Sequence, residues 1–261
     1  MIRAWLDLSA PSLFATLALL YGGAALLLAA IVFASPLKRP IQSLQGVVAP
    51  FFNAVAVLFA LLTGFLANDV SERSRQAYRV VRTEVSELRN IYTLSVASIS
   101  DMRAIRATVK AYAASVVSDE WPAMENEVRS APTREIYDAL LQKVSDPAIA
   151  AQAGQAVHAA LLAATVHVGS ARNERLTLNS DHTNELKWLT VLILGLITQL
   201  AIALVHIERL RAFLAALMVF SVAAVAALGI IALQEYPFYG TFQISPTPFK
   251  NFEKLPIELN N

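Results

Sequence analysis

The stretch that decides the fold is FFNAVAVLFALLTGFLA, residues 51–67, followed directly by NDVSERSRQAYRVVRTEVSELRN, residues 68–90. The first part carries no charge, and its polar side chains are Asn53 and Thr63. Together with the uncharged residues 47–50, it is long enough to cross a hydrocarbon core of about 30 Å as a helix. We therefore predict a membrane-spanning helix here, which leaves the membrane at Asn68.

The charged part that follows has the pattern of an amphipathic helix. Its apolar residues recur at spacings of three and four, at Val81, Val85, Leu88 and Tyr92. Asp69 and Arg73 stand four residues apart, which is close enough to pair on a helix surface. A span and a water-facing helix are therefore predicted to be continuous.

The composition agrees with a membrane protein and excludes several other classes. Of the 261 residues, 56% are hydrophobic, and the mean hydropathy of +0.51 exceeds what a soluble core requires. The 21 basic and 20 acidic side chains nearly cancel, so no broad basic surface is available to bind nucleic acid. The chain has no cysteine, which excludes disulfides and thiolate chemistry.

Three further uncharged runs predict three more spans. They are residues 12–34, 188–205 and 212–233, and each is long enough to cross a bilayer. The first could also be read as a signal peptide, because residues 32–34 resemble a cleavage site, but it is too long for such a segment. Lys187 and Trp188 precede the third span as an expected interfacial anchor pair.

We therefore predict an all-α protein with four transmembrane helices and a helical extramembrane domain inserted between the second and third spans. The expected segments are an N-terminal tail with the first span (1–35), a short loop with the second span (36–67), the extramembrane domain (68–187), the third and fourth spans (188–233), and a tail rich in proline and aromatic residues (234–261). This tail is expected to lie at the membrane interface or to pack on the domain.

Within the domain, local signals predict where helices begin and end. Ser98 with Asp101 resembles a capping box, so a helix break is expected at residues 98–100. Ser130 is expected to open a short helix, which Asp146 and the proline after it end. A single alanine-rich helix is then predicted from Ala148 to about Leu178. Nothing in this region alternates as a strand does.

The charges of the short loops predict the orientation. Four spans place both short loops on one side, and these loops carry Lys38, Arg39, Arg209 and Arg211. The positive-inside rule then favours short loops in the cytoplasm and the helical domain outside it. The opposing signal is an arginine cluster just beyond the second span, which suits a cytoplasmic face with anionic lipid.

The second span and its exit supply the candidate functional residues. Polar side chains that could line a pore or form its mouth are Asn53, Thr63, Asn68 and Asp69. The alternative is that such groups only hold helices together, or end the apolar segment. A second set could bind anions or lipid headgroups, or could simply be a solvated helix face: Arg73, Arg75, Arg79 and Arg82.

No motif for catalysis, metal binding or a cofactor is present. There is no glycine-rich phosphate loop, nucleophile elbow or zinc-protease helix. His158 and His167 are nine residues apart and do not share a helix face, while His182 and His206 flank the third span. The apolar cores of the spans hold no ionisable side chain, which disfavours proton-coupled transport. We therefore predict a protein that is not an enzyme and that has no cofactor.

Several strings in the chain resemble those of the bestrophin-like family of bacterial membrane proteins, and the resemblance covers nearly the whole chain. The strings are FLANDV at 65–70, AYA at 111–113, DEWP at 119–122, residues 172–176 before Trp188, PFYG at 237–240 and ISP at 244–246.

The resemblance implies four membrane helices with a helical insert, an order shared with true bestrophins, which are pentameric anion channels. It also implies a multi-pass protein of the bacterial inner membrane whose partners are the lipid bilayer and further copies of the same chain. The expected function is then an oligomeric ion channel. The alternative is a membrane-anchored scaffold or sensor whose helical domain binds an unidentified protein partner or ligand, without transport.

Overall fold

A computed structural model describes residues 2–34, 49–98, 100–181 and 183–258, of which residues 49–51 are described by their backbone alone. The structure is 83% helical, and no strand occurs in these residues. The predicted all-α class is therefore confirmed. The chain divides into two compact units, Met1–Glu72 with Thr183–Glu235, and Arg73–His182 with Tyr236–Asn261. We call them the membrane unit and the helical domain.

The membrane unit contains the predicted spans. A short helix α1 (Ile2–Leu6) precedes α2 (Ala10–Ala29), which continues as a π-helical turn to Ala34. The long helix α3 (Ala49–Ala97) begins in this unit, and α9 (Glu185–Val205) and α10 (Leu210–Ala232) complete it. Among the described residues, four helices are long and apolar enough to cross a membrane, which confirms the four-span prediction.

Buried polar side chains tie α2, α9 and α10 together. The Gln199 side-chain amide donates to the Tyr21 carbonyl at 2.9 Å and to the Ser221 hydroxyl at 2.8 Å. Ser221 donates in turn to the Leu217 carbonyl. Thr198 hydrogen-bonds to its own helix. Gln199 and Ser221 therefore hold α2, α9 and α10 together, as polar groups commonly do in membranes.

Two glycines permit close helix contacts in the membrane unit. A Cβ added to Gly195 of α9 would overlap the Tyr21 ring, and one added to Gly229 of α10 would overlap the Phe14 ring. Both aromatic rings therefore lie against bare backbone. Close approach at small residues is the usual way in which membrane helices gain dispersion contacts.

The predicted continuity of span and water-facing helix is confirmed, since α3 runs without interruption over 49 residues. It ends at Ala97, and α4 (Arg103–Ser115) follows after the predicted break. The predicted capping box is wrong. The residue before α4 is Met102, which makes no side-chain cap, the Arg103 amide donates to Asp101 at 3.0 Å, and Ser98 bonds to Ser100 in the preceding loop.

The helical domain continues with a π-helical turn (Val116–Glu120), α5 (Trp121–Met124), α6 (Ala131–Val144), α7 (Pro147–Ala153) and α8 (Gln155–Ser180). Ser130 caps α6 through the Thr133 amide, as predicted. The prediction of one helix from Ala148 to Leu178 is wrong, because Gly154 separates α7 from α8 at φ +90°. Only glycine adopts this conformation readily, so an alanine-rich pattern could not reveal the break.

The residues after α10 pack within the core of the helical domain, which decides between the two alternatives for the tail. Phe238 is buried there, as are Phe249 of α11 (Thr247–Lys250) and Phe252 of a following 3-10 turn (Asn251–Lys254). Three backbone carbonyls of the same segment accept hydrogen bonds of 2.7 Å from side chains of α3 and α4: Pro256 from Tyr92, Ile257 from Arg106, and Leu255 from Lys110.

Candidate functional site

One face of α3 is exposed along nearly the whole helix. Its members recur every three or four residues, the spacing that keeps side chains on one side of a helix. They run from the span into the helical domain: Asn53, Val57, Leu61, Gly64, Asn68, Glu72, Arg75, Arg79, Arg82, Ser86, Asn90 and Thr93. We call this set the exposed face of α3.

The chemistry of the exposed face changes along its length. In the span, between Asn53 and Asn68, it is apolar, and Val57 and Leu61 are 63% and 50% exposed. Beyond Asn68 its charges are one carboxylate, Glu72, and three guanidinium groups. The domain part of the face is therefore positively charged.

The structure brings only some of the predicted site residues onto this face. Asn53 and Asn68 lie on it, together with Arg75, Arg79 and Arg82. Thr63 is half-buried off this face, and its hydroxyl has no hydrogen-bond partner among the described residues. Arg73 is also half-buried on another side of α3. Sequence spacing alone could have made this division, since Thr63 and Arg73 do not share the register of Asn68.

Asp69 forms an ion pair with Lys187 at the start of α9. The two residues are 118 positions apart in the chain, so local spacing could not predict their contact. Trp188, the expected interfacial anchor, is fully buried, which corrects that prediction. Its indole donates to the buried carboxylate of Glu235, which also accepts from the Thr183 amide at 2.9 Å. Glu235 lies in the segment predicted as the tail, and its sequence context predicts no role for it.

A wide groove of about 690 Å³ lies beside the exposed face in the helical domain. Arg82 and Arg89 line it seven residues apart, and the Arg82 guanidinium lies 5.7 Å from the centre of the Tyr78 ring. The hydroxyls of Thr83 and Ser86 also belong to its wall. Two guanidinium groups and two hydroxyls make this groove suitable for an anion.

The core of the helical domain holds a buried charge cluster of two carboxylates and two guanidinium groups, Glu84, Glu120, Arg172 and Arg175. Arg175 is fully buried and donates to Glu84 at 2.8 and 3.1 Å and to Glu120 at 2.7 Å. Arg172 binds Glu120 through two of its nitrogens, one of them 3.0 Å from the carboxylate. The formal charges cancel within the cluster.

Neighbouring side chains complete the hydrogen bonding of the cluster. Tyr112 donates to Glu84 at 2.7 Å, and Arg175 also contacts the Met124 sulfur at 3.0 Å. The Arg175 guanidinium lies 5.5 Å from the Trp121 ring centre and 5.9 Å from that of Phe249. Four of the strings that carry the family resemblance meet here, because Tyr112, Glu120 with Trp121, Arg172 with Arg175, and Phe238 belong to them.

The buried cluster raises the pKa of Tyr112 and of Arg175. Burial and the Glu84 charge raise the pKa of the Tyr112 hydroxyl well above 10.0. Burial alone would lower the pKa of Arg175, but the carboxylates of Glu84 and Glu120 outweigh it and raise the pKa. The cluster thus holds its ion pairs and a neutral tyrosine, and it offers no activated nucleophile.

Sequence reasoning missed this cluster, although one signal was present. Glu84 falls on the apolar stripe of α3, three residues after Val81 and four before Leu88. A carboxylate in that register is buried and requires a partner. The partners of Glu84 are Tyr112 of α4 and Arg175 of α8, so their identity depends on tertiary packing.

Among the described residues, no group of three or more histidine, cysteine or acidic side chains is placed to hold a metal ion. His182, Lys38 and Arg39 lie outside the described residues. His158 faces the Val144 carbonyl at 3.0 Å, and His206 faces the Ile202 carbonyl at the same distance. These histidines therefore have local structural partners.

The fold defines a class of protein: a helical membrane protein with four spans and a helical domain between the second and third. The chain matches the family model of the Bestrophin-like domain over residues 19–249. The protein belongs to the Bestrophin-like family, as the resemblance predicted.

Solved structures share the fold at low sequence identity. A bacterial bestrophin homologue from Klebsiella pneumoniae, carrying a tryptophan-to-alanine mutation, superposes with a TM-score of 0.72 at 14% identity, covering 95% of this chain and 97% of the other. A leucine-to-threonine mutant of the K. pneumoniae homologue superposes with a TM-score of 0.68 at 11% identity, covering 92% of this chain and 96% of the other. A structure described as a membrane protein superposes with a TM-score of 0.70 at 11% sequence identity, covering 92% of this chain and 96% of the other. No curated protein sequence matches the chain significantly.

Proposed function

We propose that the protein is a homo-oligomeric ion channel in which α3 of each subunit lines the pore. The observation that carries this proposal is the exposed face of α3, which continues from an apolar span into a charged helix. Closed oligomers of identical chains are symmetric, so one face of one helix from each copy can surround a common axis. Membership of the Bestrophin-like family and the bestrophin-like fold support the same interpretation.

In such an assembly the exposed face forms two zones of the pore. Val57 and Leu61 form an apolar constriction, with Asn53 and Asn68 at its two ends. Hydrophobic constrictions and rings of polar groups are both established means of gating and selecting ions. Beyond them, repeated arginines form a positively charged vestibule.

The charges of the exposed face favour anions. Glu72 is outnumbered by Arg75, Arg79 and Arg82, and each charge recurs in every subunit. An acidic ring of Asp69 would favour cations instead, but Lys187 neutralises that carboxylate in the structure. The proposed channel therefore conducts anions in preference to cations.

The test is ion flux in liposomes containing the purified full-length protein. We expect chloride flux to exceed potassium flux, and the triple change Arg75→Gln, Arg79→Gln, Arg82→Gln to reduce this preference several-fold. Arg134→Gln, at an exposed site on α6, is the matched control and should leave the preference unchanged. Absence of flux at every voltage, pH and calcium concentration, with insertion demonstrated, would contradict the channel.

We also propose that the helical domain lies outside the cytoplasm of a bacterial inner membrane, on the basis of the basic residues in the short loops. The natural absence of cysteine makes single-cysteine labelling in intact cells direct. Ser71→Cys should react with an impermeant reagent, and Ser43→Cys should not. The reverse labelling pattern would place the domain in the cytoplasm.

A second candidate function is a membrane-anchored sensor or scaffold, favoured by the groove beside Arg82 and Arg89. In this case the spans only anchor the domain, and an anionic ligand or protein partner binds to it. Specific crosslinking of a partner together with absent flux would support the sensor over the channel.

A further inference from the structure

A groove of about 470 Å³ lies between α3 and α9 where the second span ends and the third begins. We call it the membrane-exit groove. Most of its wall is apolar, and its polar lining is concentrated at Asn68, Asp69, Lys187 and Thr190. Leu62, Phe65 and Val191 belong to the apolar part of the wall.

Charged and apolar lining residues occupy opposite ends of the groove. Asp69 and Lys187 stand at the ends of their apolar segments, the level at which lipid headgroups meet water. Leu62 precedes Asp69 by two helical turns, so the apolar wall reaches about 10 Å into the span from the charged pair. A ligand that fits both ends has a charged head and a hydrocarbon chain.

The charged pair at the mouth can exchange partners. The Lys187 and Asp69 side chains are 56% and 39% exposed. Ion pairs at such positions contribute little to stability, so separating them in favour of equivalent contacts with a ligand is not costly. The two side chains offer one cation and one anion side by side.

We propose that the membrane-exit groove binds a phospholipid whose headgroup carries a primary ammonium. The lipid phosphate accepts from the Lys187 ammonium, and the lipid ammonium donates to the Asp69 carboxylate. An acyl chain lies against Leu62, Phe65 and Val191. A choline headgroup has no N–H to donate to Asp69, and a purely anionic headgroup leaves the carboxylate facing negative charge.

The test is native mass spectrometry of the full-length protein in detergent with an equal mixture of phosphatidylethanolamine, phosphatidylcholine and phosphatidylglycerol. The wild type should retain phosphatidylethanolamine above the other two by about two- to fivefold, the range for a partly exposed ion pair. Asp69→Asn should abolish this preference and raise phosphatidylglycerol retention. Lys187→Gln should reduce retention of all three lipids.

Two further variants keep the result specific. Thr190→Phe narrows the groove without changing a charge and should reduce retention of every lipid, while Lys143→Gln, on the exposed surface of α6, should change nothing. Equal retention of the three lipids by the wild type, or an unchanged preference in Asp69→Asn, would overturn the proposal. So would crosslinking of Thr190→Cys to a second copy with no lipid retained, because a neighbouring subunit would then fill the groove. The measurement does not depend on ion conduction.

Discussion

Arg175 holds the buried charge cluster together, because it donates to both Glu84 and Glu120. Removing one partner of a buried ion pair leaves an unpaired charge, which usually costs about 3–5 kcal/mol. We therefore expect Arg175→Met to lower the free energy of unfolding by about that amount, measured by denaturant titration of the detergent-solubilised protein. Arg134→Met, at an exposed site, should change it little. Equal effects of the two substitutions would show that the cluster does not stabilise the domain.

Tyr112 makes the stability of the domain depend on alkaline pH. The pKa of its hydroxyl is about 10.0 in the unfolded chain and is raised in the folded protein. Between the two pKa values, the unfolded chain has lost a proton that the folded chain keeps. Stability is then fully present below pH 10.0 and falls as the pH rises above it.

We expect Tyr112→Phe to flatten this alkaline fall, although the variant is less stable at neutral pH because it loses the hydrogen bond to Glu84. Thermal unfolding of the wild type and the variant, measured from pH 8 to 11, would show both the flatter alkaline fall and the lower starting stability. Tyr78→Phe, at an exposed site, is the control and should retain the wild-type dependence. A Tyr112→Phe profile parallel to that of the wild type would contradict the assignment.

At the scale of elements, Gly154 determines that α7 and α8 are separate helices. Its φ of +90° and ψ of 154° fall in a region that is essentially restricted to glycine. Gly154→Ala should therefore destabilise the protein by about 1–3 kcal/mol, seen as a lower unfolding temperature. Gly22→Ala is the control, because a Cβ at that helical position meets no other atom within 4 Å. Similar losses in both variants would mean that backbone conformation is not the cause.

The elements also show what the sequence could and could not predict. The four spans and the continuity of α3 follow from runs and periodicities that are local, so they could be predicted. The break between α7 and α8 depends on the backbone dihedral angles of Gly154, which the composition of the segment does not specify. The contacts of Asp69 with Lys187 and of Glu84 with Arg175 join residues about a hundred positions apart, and only packing brings them together. The same holds for the hydrogen bond of Trp188 with Glu235, 47 positions away.

At the scale of the whole molecule, the proposed assembly predicts that Asn68 of neighbouring subunits lies near a common axis. In the cysteine-free background, Asn68→Cys should form intersubunit crosslinks with a short bifunctional thiol reagent in native membranes. Arg134→Cys, exposed on α6, should not. Denaturing gels measure the outcome. Failure of Asn68→Cys to crosslink, with the thiol shown to react, would exclude the exposed face of α3 as the pore lining.

The placement of Phe238, Phe249 and Phe252 in the domain core has a consequence for biosynthesis. The ribosome makes these residues after α9 and α10, whereas the helices they pack against, such as α4 and α8, are made before them. Domains generally fold as units during synthesis, but this core lacks three aromatic rings until translation has passed the fourth span. Synthesis of all four spans therefore precedes completion of the domain core, and a chain stalled after α10 exposes an unfinished apolar core to chaperones and proteases.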